Sequence, residues 1–523
     1  MKKALLLCSI SLCLFIGIDT VVAESQPKMG GTLIFGRAAD SVTLDPAKIN
    51  DSDSSKVTCL VFEGLVRYKD DSTEIEPALA KSWEVSEDGK SWIFHLREGV
   101  MFHDNTPFDA HAVVFSFLRQ IDPTHLFYRK DFSCAESTFI NVKTVEALDP
   151  LTVKITLEKL YSPFLSNLAM TVSVHIISPT ALKKWGDNFD KHPVGTGPFQ
   201  FVEWIPQDRI IIEKNPNYWG KKPYLDKIVF KPITNNKSRL LALKTSAINV
   251  MDGIDPEMVN EIKKDKNLQL ETRLGINVAW IEMNNEKKPF DQVKVRQAVN
   301  YAINKPKLIK FVYQDLAIPA KNPIPPMMWG YNDSIVDYEY NPEKAKQLLK
   351  EAGYENGFET TLLPIPVARI YMPQPQKIAE IVKNNLAAVG IKVKLVYYDW
   401  ENYLAKLSAG EHEIALDGWV GDSGDPDSFL YALLDQDNAV KPDALNSSFF
   451  RNAELHDILI KAQQVPDQHE RAKLYGKAQE IIHREAPWVP LAHVKQLVAF
   501  QTKVHGLILH DLAGYRFEKT WIE

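Results

Sequence analysis

The stretch from residue 341 to residue 419 constrains the fold most, because strand-like and helix-like segments alternate along it. Asn341 and Pro342 are typical of a helix start, and Gly353 is typical of the end of that helix. The hydrophobic pattern predicts further elements: strands over residues 360–364, 391–398 and 413–419, and helices over residues 375–389 and 400–409. Such an alternation indicates an α/β unit with parallel strands joined by right-handed crossovers.

The N-terminal part of the chain has a different rhythm, in which strands follow one another with turns between them. We predict a strand over residues 31–36, a hairpin over residues 83–96 and a strand over residues 153–157. Asp109 is expected to cap a helix between the last two of these. The chain therefore combines a mixed β-rich part with a separate α/β part.

Length and composition exclude several classes of protein. A chain of 523 residues is too long for one core, and no Pro/Gly/Ser-rich linker interrupts it, so we expect packed structural units. The 45% hydrophobic and 24% charged fractions are those of a globular protein. With 61 Lys and Arg against 67 Asp and Glu, the net charge of −6 argues against a nucleic-acid binder.

The first residues have the pattern of a secretory signal peptide. Lys2 and Lys3 precede an apolar stretch from Ala4 to Ile18, and small residues lead up to Ala23. At about 15 residues, that stretch is too short to span a membrane comfortably. We expect residues 1–23 to be removed and the product to be a soluble, exported protein of the periplasm.

Two cysteines, Cys59 and Cys134, remain after that cleavage. An oxidising compartment would allow them to form a disulfide, which in so long a loop contributes about 4 kcal/mol in the chain-entropy model. Two separate buried thiols are an equally good interpretation. The count excludes a metal site built from several cysteines.

Two oppositely charged residues follow strands of the predicted α/β unit. Arg369 lies just beyond the strand at 360–364, and Asp422 lies just beyond the strand at 413–419. Ligands of open α/β sheets bind beyond the carboxyl ends of the strands. A guanidinium and a carboxylate at that edge would suit a zwitterion, although most such charges are solvated loop residues.

Short motifs spread in order along the chain resemble the extracytoplasmic solute-binding family of peptide and nickel ABC transporters. They are PALAKSWEVSEDG at 77–89, FHLREG at 94–99, PVGTGPF at 193–199, NPNYW at 215–219, PFDQVKVRQA at 289–298, Asn304-Lys305, PPMMWGYN at 325–332 and WVGDSGDPD at 419–427. Each is weak alone, but the ordered set is specific. The last two are closest to the dipeptide-binding members of the family.

The resemblance implies roles for individual residues. In dipeptide binders of the family, an Arg-x-Tyr loop holds the ligand carboxylate and a Gly-Asp-x-Gly-Asp-Pro-Asp loop holds its ammonium group. These loops match Arg369 with Tyr371, and Gly421 with Asp422. Trp419 would line a side-chain pocket or belong to the core. The resemblance also implies contacts, mainly through backbone groups, from the loop after the first strand: Ala38, Ala39, Asp40 and Ser41.

Residue 370 is isoleucine where a proline is more familiar in the family, which leaves the preferred ligand side chains open.

The fold implied by the resemblance is the α/β, two-lobe type II fold of periplasmic binding proteins, with an extra subdomain in lobe I and a two-strand hinge. Lobe I would comprise residues 24–274, with the subdomain inserted at about 60–185, and residues 496–523 would return to it. Lobe II would comprise residues 275–495. The crossings are expected at 275–283 and near 493–500.

The implied function is capture of dipeptides or other short peptides in a closing cleft and their delivery to the membrane subunits of an ABC permease. We expect a monomer that catalyses no reaction and needs no cofactor or metal. Haem or glutathione binding is the alternative within the family, since both ligands would use the same cleft.

Other classes of function fit the sequence less well. The segment from Gly421 to Pro426 resembles the nucleophile motif of chymotrypsin-like proteases, but Asp425 stands where that family needs a glycine. His412 also lacks the context of a catalytic histidine. The 11 tryptophans would suit sugar stacking, yet most are expected in the core. The 13 histidines include no His-Glu-x-x-His pair.

Overall fold

The computed structural model describes residues 26–132, 135–512 and 514–523. The predicted signal peptide and Cys134 lie outside the described residues, so both the cleavage and the pairing of Cys59 with Cys134 stay predictions. Among the described residues, no helix combines the length and the apolar character that a membrane span requires.

The helices are α1 Ser52–Val61, α2 Ala110–Ile121, α3 Ala135–Thr138, α4 Phe164–Asn167, α5 Pro179–Trp185, α6 Asn236–Lys244, α7 Val259–Lys264, α8 Val293–Ala302, α9 Lys305–Leu308, α10 Pro342–Glu351, α11 Pro375–Ala387, α12 Trp400–Ser408, α13 Asp427–Leu434, α14 Ala453–Gln464 and α15 Gln468–Glu485. Short 3₁₀ segments occur at Gly186–Lys191, Pro256–Met258 and Gln436–Asn438, and a π-helical turn occurs at Ile309–Tyr313.

The strands are β1 Thr32–Arg37, β2 Val66–Tyr68, β3 Ile75–Pro77, β4 Ala80–Val85, β5 Ser91–Leu96, β6 Val142–Asp149, β7 Thr152–Leu157, β8 Phe199–Ile205, β9 Arg209–Lys214, β10 Lys227–Pro232, β11 Val250–Met251, β12 Leu268–Leu274, β13 Asn277–Met283, β14 Ala317–Pro319, β15 Phe358–Leu363, β16 Ile391–Leu395, β17 Ile414–Val420, β18 Trp488–Gln501, β19 Val504–His505, β20 Ile508–Leu509, β21 Tyr515–Arg516 and β22 Trp521–Ile522.

A single 12-stranded sheet runs through the molecule in the order β16-β15-β17-β13-β18-β11-β1-β10-β9-β8, and β12 and β14 also pair with β18. Strand β18 joins two halves of this sheet. Its residues 488–494 pair with β13 and β14, whereas its residues 495–501 pair with β11 and β12. We call the part from β8 to β12, with β1, the first half, and β13 to β17 the second half.

The chain passes between the halves at two places, which are residues 274–277 and the middle of β18. Both places fall within or beside the predicted crossings. The lobe boundaries themselves stay a prediction.

The second half confirms the predicted α/β alternation. Strand β15 pairs in parallel with both β16 and β17. The helices between them fall where the sequence predicts them, with Asn341 capping α10 through a hydrogen bond from the Lys344 amide. Apolar faces on both sides of this half are buried. Helices α8, α10 and α11 contribute to the core on one side, and α13, α14 and α15 contribute to the core on the other.

The β-rich N-terminal part is also as expected in outline. The predicted hairpin is β4 and β5, which pair antiparallel within a four-stranded sheet of order β4-β5-β7-β6. Asp109 caps α2 by accepting a hydrogen bond from the Ala112 amide. The apolar side of α2, including Val113 and Phe117, is buried in the core that this sheet helps to form. We call this sheet, the residues from Tyr161 to the end of α4 that join its core, and the adjacent hairpin β2–β3 with its turn the small-sheet region.

Candidate functional site: the edge of the second half

The loops that carry Arg369 and Asp422 leave the same edge of the sheet. Strands β15 and β17 are parallel neighbours, with Leu362 opposite Ile414 and Leu363 opposite Ala415. Arg369 follows the end of β15, and Asp422 follows the end of β17. The carboxyl ends of two adjacent parallel strands are where ligands of open α/β sheets bind.

The Arg369 loop lies directly on strand β17. The ring of Tyr371 packs against the backbone of Gly418, so that a Cβ atom at position 418 would lie 2.2 Å from Tyr371 Cδ2. Gly418 precedes Asp422 by four residues, which corresponds to about 13 Å of extended chain. The two loops are therefore close enough for their side chains to approach one small molecule.

Backbone hydrogen bonds give the Arg369 loop a defined shape. The amides of Arg369 and Met372 donate to each other's carbonyl oxygens at 3.1 and 2.9 Å, which closes a tight turn. The Tyr313 hydroxyl donates to the carbonyl of Tyr371 at 3.0 Å. Tyr371 itself is almost completely buried, whereas Ile370 is exposed. The turn thus buries Tyr371 and Met372 in the core and leaves Ile370 at the surface.

The guanidinium of Arg369 is stacked but has no ion-pair partner among the described residues. Its Cζ lies 3.9 Å from the centre of the Trp400 ring, at the start of α12. Asp417 lies close enough to be influenced by it: burial raises the pKa of Asp417 to about 7, and the positive charge of Arg369 opposes that increase. Stacking fixes the plane of a guanidinium and leaves its N–H groups free to bind a carboxylate.

Asp422 is a solvent-accessible carboxylate without a hydrogen-bond or ion-pair partner in the described part of the chain. Desolvation by the surrounding protein nevertheless raises its pKa to about 6. The two observations agree if the carboxylate faces a narrow crevice, where water reaches it but cannot hydrate it fully. A cation placed there would stabilise the ionised form.

The loop under Asp422 is held in place on several sides. The Gly421 amide donates to the Ile276 carbonyl at 2.8 Å, and a Cβ atom at position 421 would lie 2.7 Å from Phe429. Farther along, Asp425 accepts two hydrogen bonds of 2.8 Å from Arg471. Gly421 therefore has a packing role, and the loop is preorganised.

Trp419 lies between core and cleft. It is half-buried against the core that contains Val278, its partner across the β13–β17 pair. Its indole Nε1 is buried and has no hydrogen-bond partner in the described part of the structure. The ring thus contributes to packing, and its contact with a ligand stays a prediction.

In the loop after β1, the side chains of Asp40 and Ser41 are committed to structural contacts. Asp40 accepts hydrogen bonds from Arg37, from the Trp204 indole at 3.1 Å and from the Gln207 amide at 2.8 Å. The Ser41 hydroxyl accepts from Arg37 at 2.9 Å. Ala39 is exposed and Ala38 is half-buried, so backbone and methyl groups of this loop remain available, and their contact with a ligand stays a prediction.

Ser423, the serine of the protease-like segment, has no histidine bonded to its hydroxyl among the described residues. Ser423 is buried, and its hydroxyl accepts only a long hydrogen bond, of 3.4 Å, from the Asp425 amide in the described residues. His412 is buried beside Phe449.

Sequence reasoning missed two buried ionisable groups on the neighbouring strands β13 and β17. Asp417 and Glu282 are on β17 and β13, and burial raises the pKa of Glu282 to about 8. Glu282 accepts hydrogen bonds from the Trp280 indole at 2.7 Å and from the Ser447 hydroxyl at 2.9 Å. A charged residue inside an otherwise apolar strand is the signal that could have indicated them.

A second group that the sequence did not reveal joins Asp435, Asp437 and His456. His456 Nδ1 lies 3.0 Å from Asp435 and 3.9 Å from Asp437. An ion pair between a histidine and a buried carboxylate explains this arrangement without a metal ion.

Two cavities of the described residues are lined by residues other than Arg369 and Asp422. One of about 250 Å³ is in the region of Arg119 and Phe189, and a water-sized one lies beside Asn322.

Comparison with known proteins gives a consistent picture. A model of the family described as "Bacterial extracellular solute-binding proteins, family 5 Middle" matches residues 74–441. Heme-binding protein A of Haemophilus influenzae is 39% identical over 507 residues, covering 94% of this chain and 92% of that protein. The dipeptide-binding protein of Escherichia coli K12 is 38% identical over 523 residues, covering 96% of each chain.

Among solved structures, an ABC transporter-associated periplasmic binding protein, DppA of Helicobacter pylori, is similar to this chain and contains the peptide STSA. The TM-score is 0.82 at 40% identity, with 95% of this chain and 99% of that chain covered. The predicted two-lobe type II α/β fold is thereby confirmed.

Proposed function

The chain belongs to family 5 of the bacterial extracellular solute-binding proteins, and from that premise we propose that it captures dipeptides by their two charged ends. Arg369 binds the carboxylate, Asp422 binds the α-ammonium group, and Tyr371 and Trp419 line the space between. Gly421 shapes the Asp422 loop, and the backbone of residues 38–41 completes the site from the other lobe.

One observation carries the proposal. Arg369 and Asp422 are unpaired opposite charges among the described residues, and their loops leave the same sheet edge. Keeping an unpaired carboxylate in a poorly hydrated crevice is costly, and an ammonium group removes that cost. A dipeptide carries both complementary charges at a separation that two loops on adjacent strands can span.

One unpaired cation and one unpaired anion favour a dipeptide over the other ligands of the family. A haem carries two propionate carboxylates and glutathione carries two carboxylates, and each would call for a second cation beside Arg369. The relatives named above include both a dipeptide-binding and a heme-binding protein, so haem remains the second candidate. Its binding would show as a Soret band in the purified protein.

The proposed role needs no catalysis. The two lobes close over the ligand, and the closed, monomeric protein delivers it in the periplasm to the membrane subunits of an ABC permease. The solved relative that is described as ABC transporter-associated and periplasmic supports this role. Closure shifts an existing equilibrium by the difference in affinity between the open and closed forms.

Titration calorimetry with L-alanyl-L-alanine tests the proposal. We expect the parent protein to bind it with a Kd near ~1 μM, which corresponds to about −8 kcal/mol. Asp422→Ala and Arg369→Ala should each weaken binding by roughly two to three decades, because the partner charge is left buried and unpaired. Folding should hardly change, since neither side chain has an ion-pair partner in the described structure.

Asp443→Ala serves as the matched control, since Asp443 is an exposed aspartate that has no ion pair among the described residues. It should bind the dipeptide like the parent. Near-parent affinity in Asp422→Ala would remove this residue from the site. Mass spectrometry of small molecules that co-purify with the parent protein distinguishes peptides from glutathione.

A further inference from the structure

The loop that carries Asp422 is held from the side of its own lobe by two strong contacts. Arg471 of α15 forms a two-pronged ion pair with Asp425, with both N···O distances 2.8 Å. The indole of Trp329 donates to the carbonyl of Gly424 at 2.9 Å. Arg471 and Trp329 belong to segments that pack on the second half of the sheet, so these contacts are internal to that half.

The opposite side of the same loop contacts the small-sheet region. The Gly424 amide donates to the Tyr68 hydroxyl at 2.8 Å, and that hydroxyl donates to the Ser166 carbonyl at 2.8 Å. A Cβ atom at position 424 would lie 2.5 Å from Thr73 Cβ, so only glycine allows this approach. The loop is thus in direct contact with strand β2 and the turn that follows it.

A second tyrosine of the small-sheet region contacts the end of the loop. The Tyr161 hydroxyl donates to Asp427 Oδ2 at 3.0 Å, while Gln463 donates to Oδ1 at 3.1 Å. Next to it, the Ser162 amide donates to the Gln463 carbonyl at 2.7 Å. The bonds of Tyr161 and Ser162 thus join segments that are about 270 to 300 positions apart in the chain.

Both tyrosines are buried, with 1% exposure for Tyr68 and 5% for Tyr161. Hydrogen bonds in a buried position are costly to leave unmade, by about 1–3 kcal/mol for the orphaned group. Gly424 donates its amide to no group of the described residues other than Tyr68. The conformation of the loop therefore depends on its contact with the small-sheet region.

We infer that Tyr68 and Tyr161 are positioning residues for Asp422. They touch no ligand themselves; they hold the loop in the shape that presents the Asp422 carboxylate to an ammonium group. This inference rests on the proposed function of Asp422. It links lobe closure to recognition, because closing the lobes brings the tyrosines to the loop at the moment when the ligand is enclosed.

The environment of Asp422 agrees with this role. Its pKa is raised by desolvation, and no charged side chain contributes to that shift. Of the other charged groups at the loop, Asp425 pairs with Arg471. Asp427 accepts hydrogen bonds from Tyr161 and Gln463, and burial together with the neighbouring Asp425 raises its pKa to about 7, so Asp422→Asn is needed to separate the two titrations. An undocked loop would be better hydrated, so the pKa of Asp422 would return toward the ordinary value for aspartate.

The test uses the full-length mature protein with Tyr68→Phe and Tyr161→Phe. Tyr218→Phe is the matched control, because the Tyr218 hydroxyl is also buried but bonds to Glu63, away from the loop. Three properties are measured for each protein: the Kd for L-alanyl-L-alanine, its dependence on pH from 4 to 8, and amide hydrogen exchange of residues 421–428 at a saturating concentration of the dipeptide. Asp422→Asn is measured alongside to identify the part of the pH profile that belongs to Asp422.

We expect each of the two loop variants to bind about tenfold more weakly, which equals about 1.4 kcal/mol, and to exchange the loop amides several-fold faster. The affinity of the parent should fall below about pH 6, where Asp422 gains a proton. In the variants, the pH at which half of this affinity is lost should be lower by about half a pH unit or more. A purely structural loss of stability would leave the midpoint in place.

Tyr218→Phe should match the parent within about twofold in all three properties. If Tyr68→Phe and Tyr161→Phe also stay within twofold, or if all three variants weaken binding equally, the positioning role is wrong. If the parent does not bind the dipeptide, or if Asp422→Asn binds it like the parent, the proposed function is wrong instead, whatever the tyrosines do.

Discussion

The ring of Tyr371 occupies the space that a side chain at position 418 would need. A Cβ atom added to Gly418 would lie 2.2 Å from Tyr371 Cδ2 and 2.5 Å from Cε2. The backbone at Tyr371 is held in place, because the Tyr313 hydroxyl donates to its carbonyl and the Arg369–Met372 turn encloses it. This contact sets the distance between the loop that carries Arg369 and the strand that leads to Asp422.

Gly418→Ala should therefore displace the Arg369 loop and weaken dipeptide binding by about tenfold or more, since overpacking of this kind costs about 1–3 kcal/mol. Calorimetry with L-alanyl-L-alanine measures the effect. Gly476→Ala is the control, because this glycine lies within α15 with only the Asn332 side chain near its Cβ position. That variant should bind normally and gain about 0.5–1 kcal/mol of stability. Parent-like affinity in Gly418→Ala would show that the contact between Tyr371 and Gly418 does not set the position of the Arg369 loop.

Trp400 should contribute to dipeptide affinity, although the sequence gives no sign that it contacts Arg369. Its ring supports the Arg369 guanidinium at 3.9 Å, and a cation–π contact of this kind is worth about 0.5–2 kcal/mol. We expect Trp400→Leu to weaken dipeptide binding by roughly three- to tenfold, measured by calorimetry. Trp185→Leu, which removes a ring stacked on His192 beside the core of the first half of the sheet, should leave affinity unchanged. Equal effects of both variants would mean that the stacking does not position Arg369.

The ion pair between Arg471 and Asp425 should stabilise the folded protein. Its side chains are only 5% and 2% exposed, and removing one partner of a buried pair costs about 3–5 kcal/mol because the other charge is left unpaired. Arg471→Ala should lower the free energy of unfolding by that amount, measured by urea denaturation. The exposed pair of Arg484 and Glu454 provides the control, and Arg484→Ala should change it by less than about 1 kcal/mol. A loss of less than about 1 kcal/mol in Arg471→Ala would show that the buried pair with Asp425 does not stabilise the fold.

Glu282 should make stability depend on pH. Burial raises its pKa from 4.5 to about 8, so between these values the folded protein holds a proton that the unfolded chain has released. The free energy of unfolding should then fall as pH rises through this window, by up to about 1.4 kcal/mol per pH unit. Glu282→Gln keeps an acceptor for the Trp280 indole and should flatten this dependence in denaturation curves recorded from pH 5 to 8. An unchanged slope would show that Glu282 is ionised in the folded state.

Local pattern was sufficient for the elements that bear the site. The alternation between residues 341 and 419 predicts the order of β15, β16 and β17 along the chain and the helices between them, and their parallel pairing follows from the crossover rule. The same rule indicates that Arg369 and Asp422 leave one edge. Strand ends were less accurate: β16 ends at Leu395 rather than at residue 398, because its last predicted residues leave the sheet.

What the amino-acid sequence determined by itself is thus the set of elements and the two charges that follow them, because hydrophobic period and capping residues act over a few positions. Only the tertiary structure decided which surfaces meet those charges. The Tyr371–Gly418 contact, the Trp400 platform and the bonds from Tyr68 and Tyr161 to the Asp422 loop join residues far apart in the chain. No local pattern encodes such contacts, since they depend on how whole lobes pack and close.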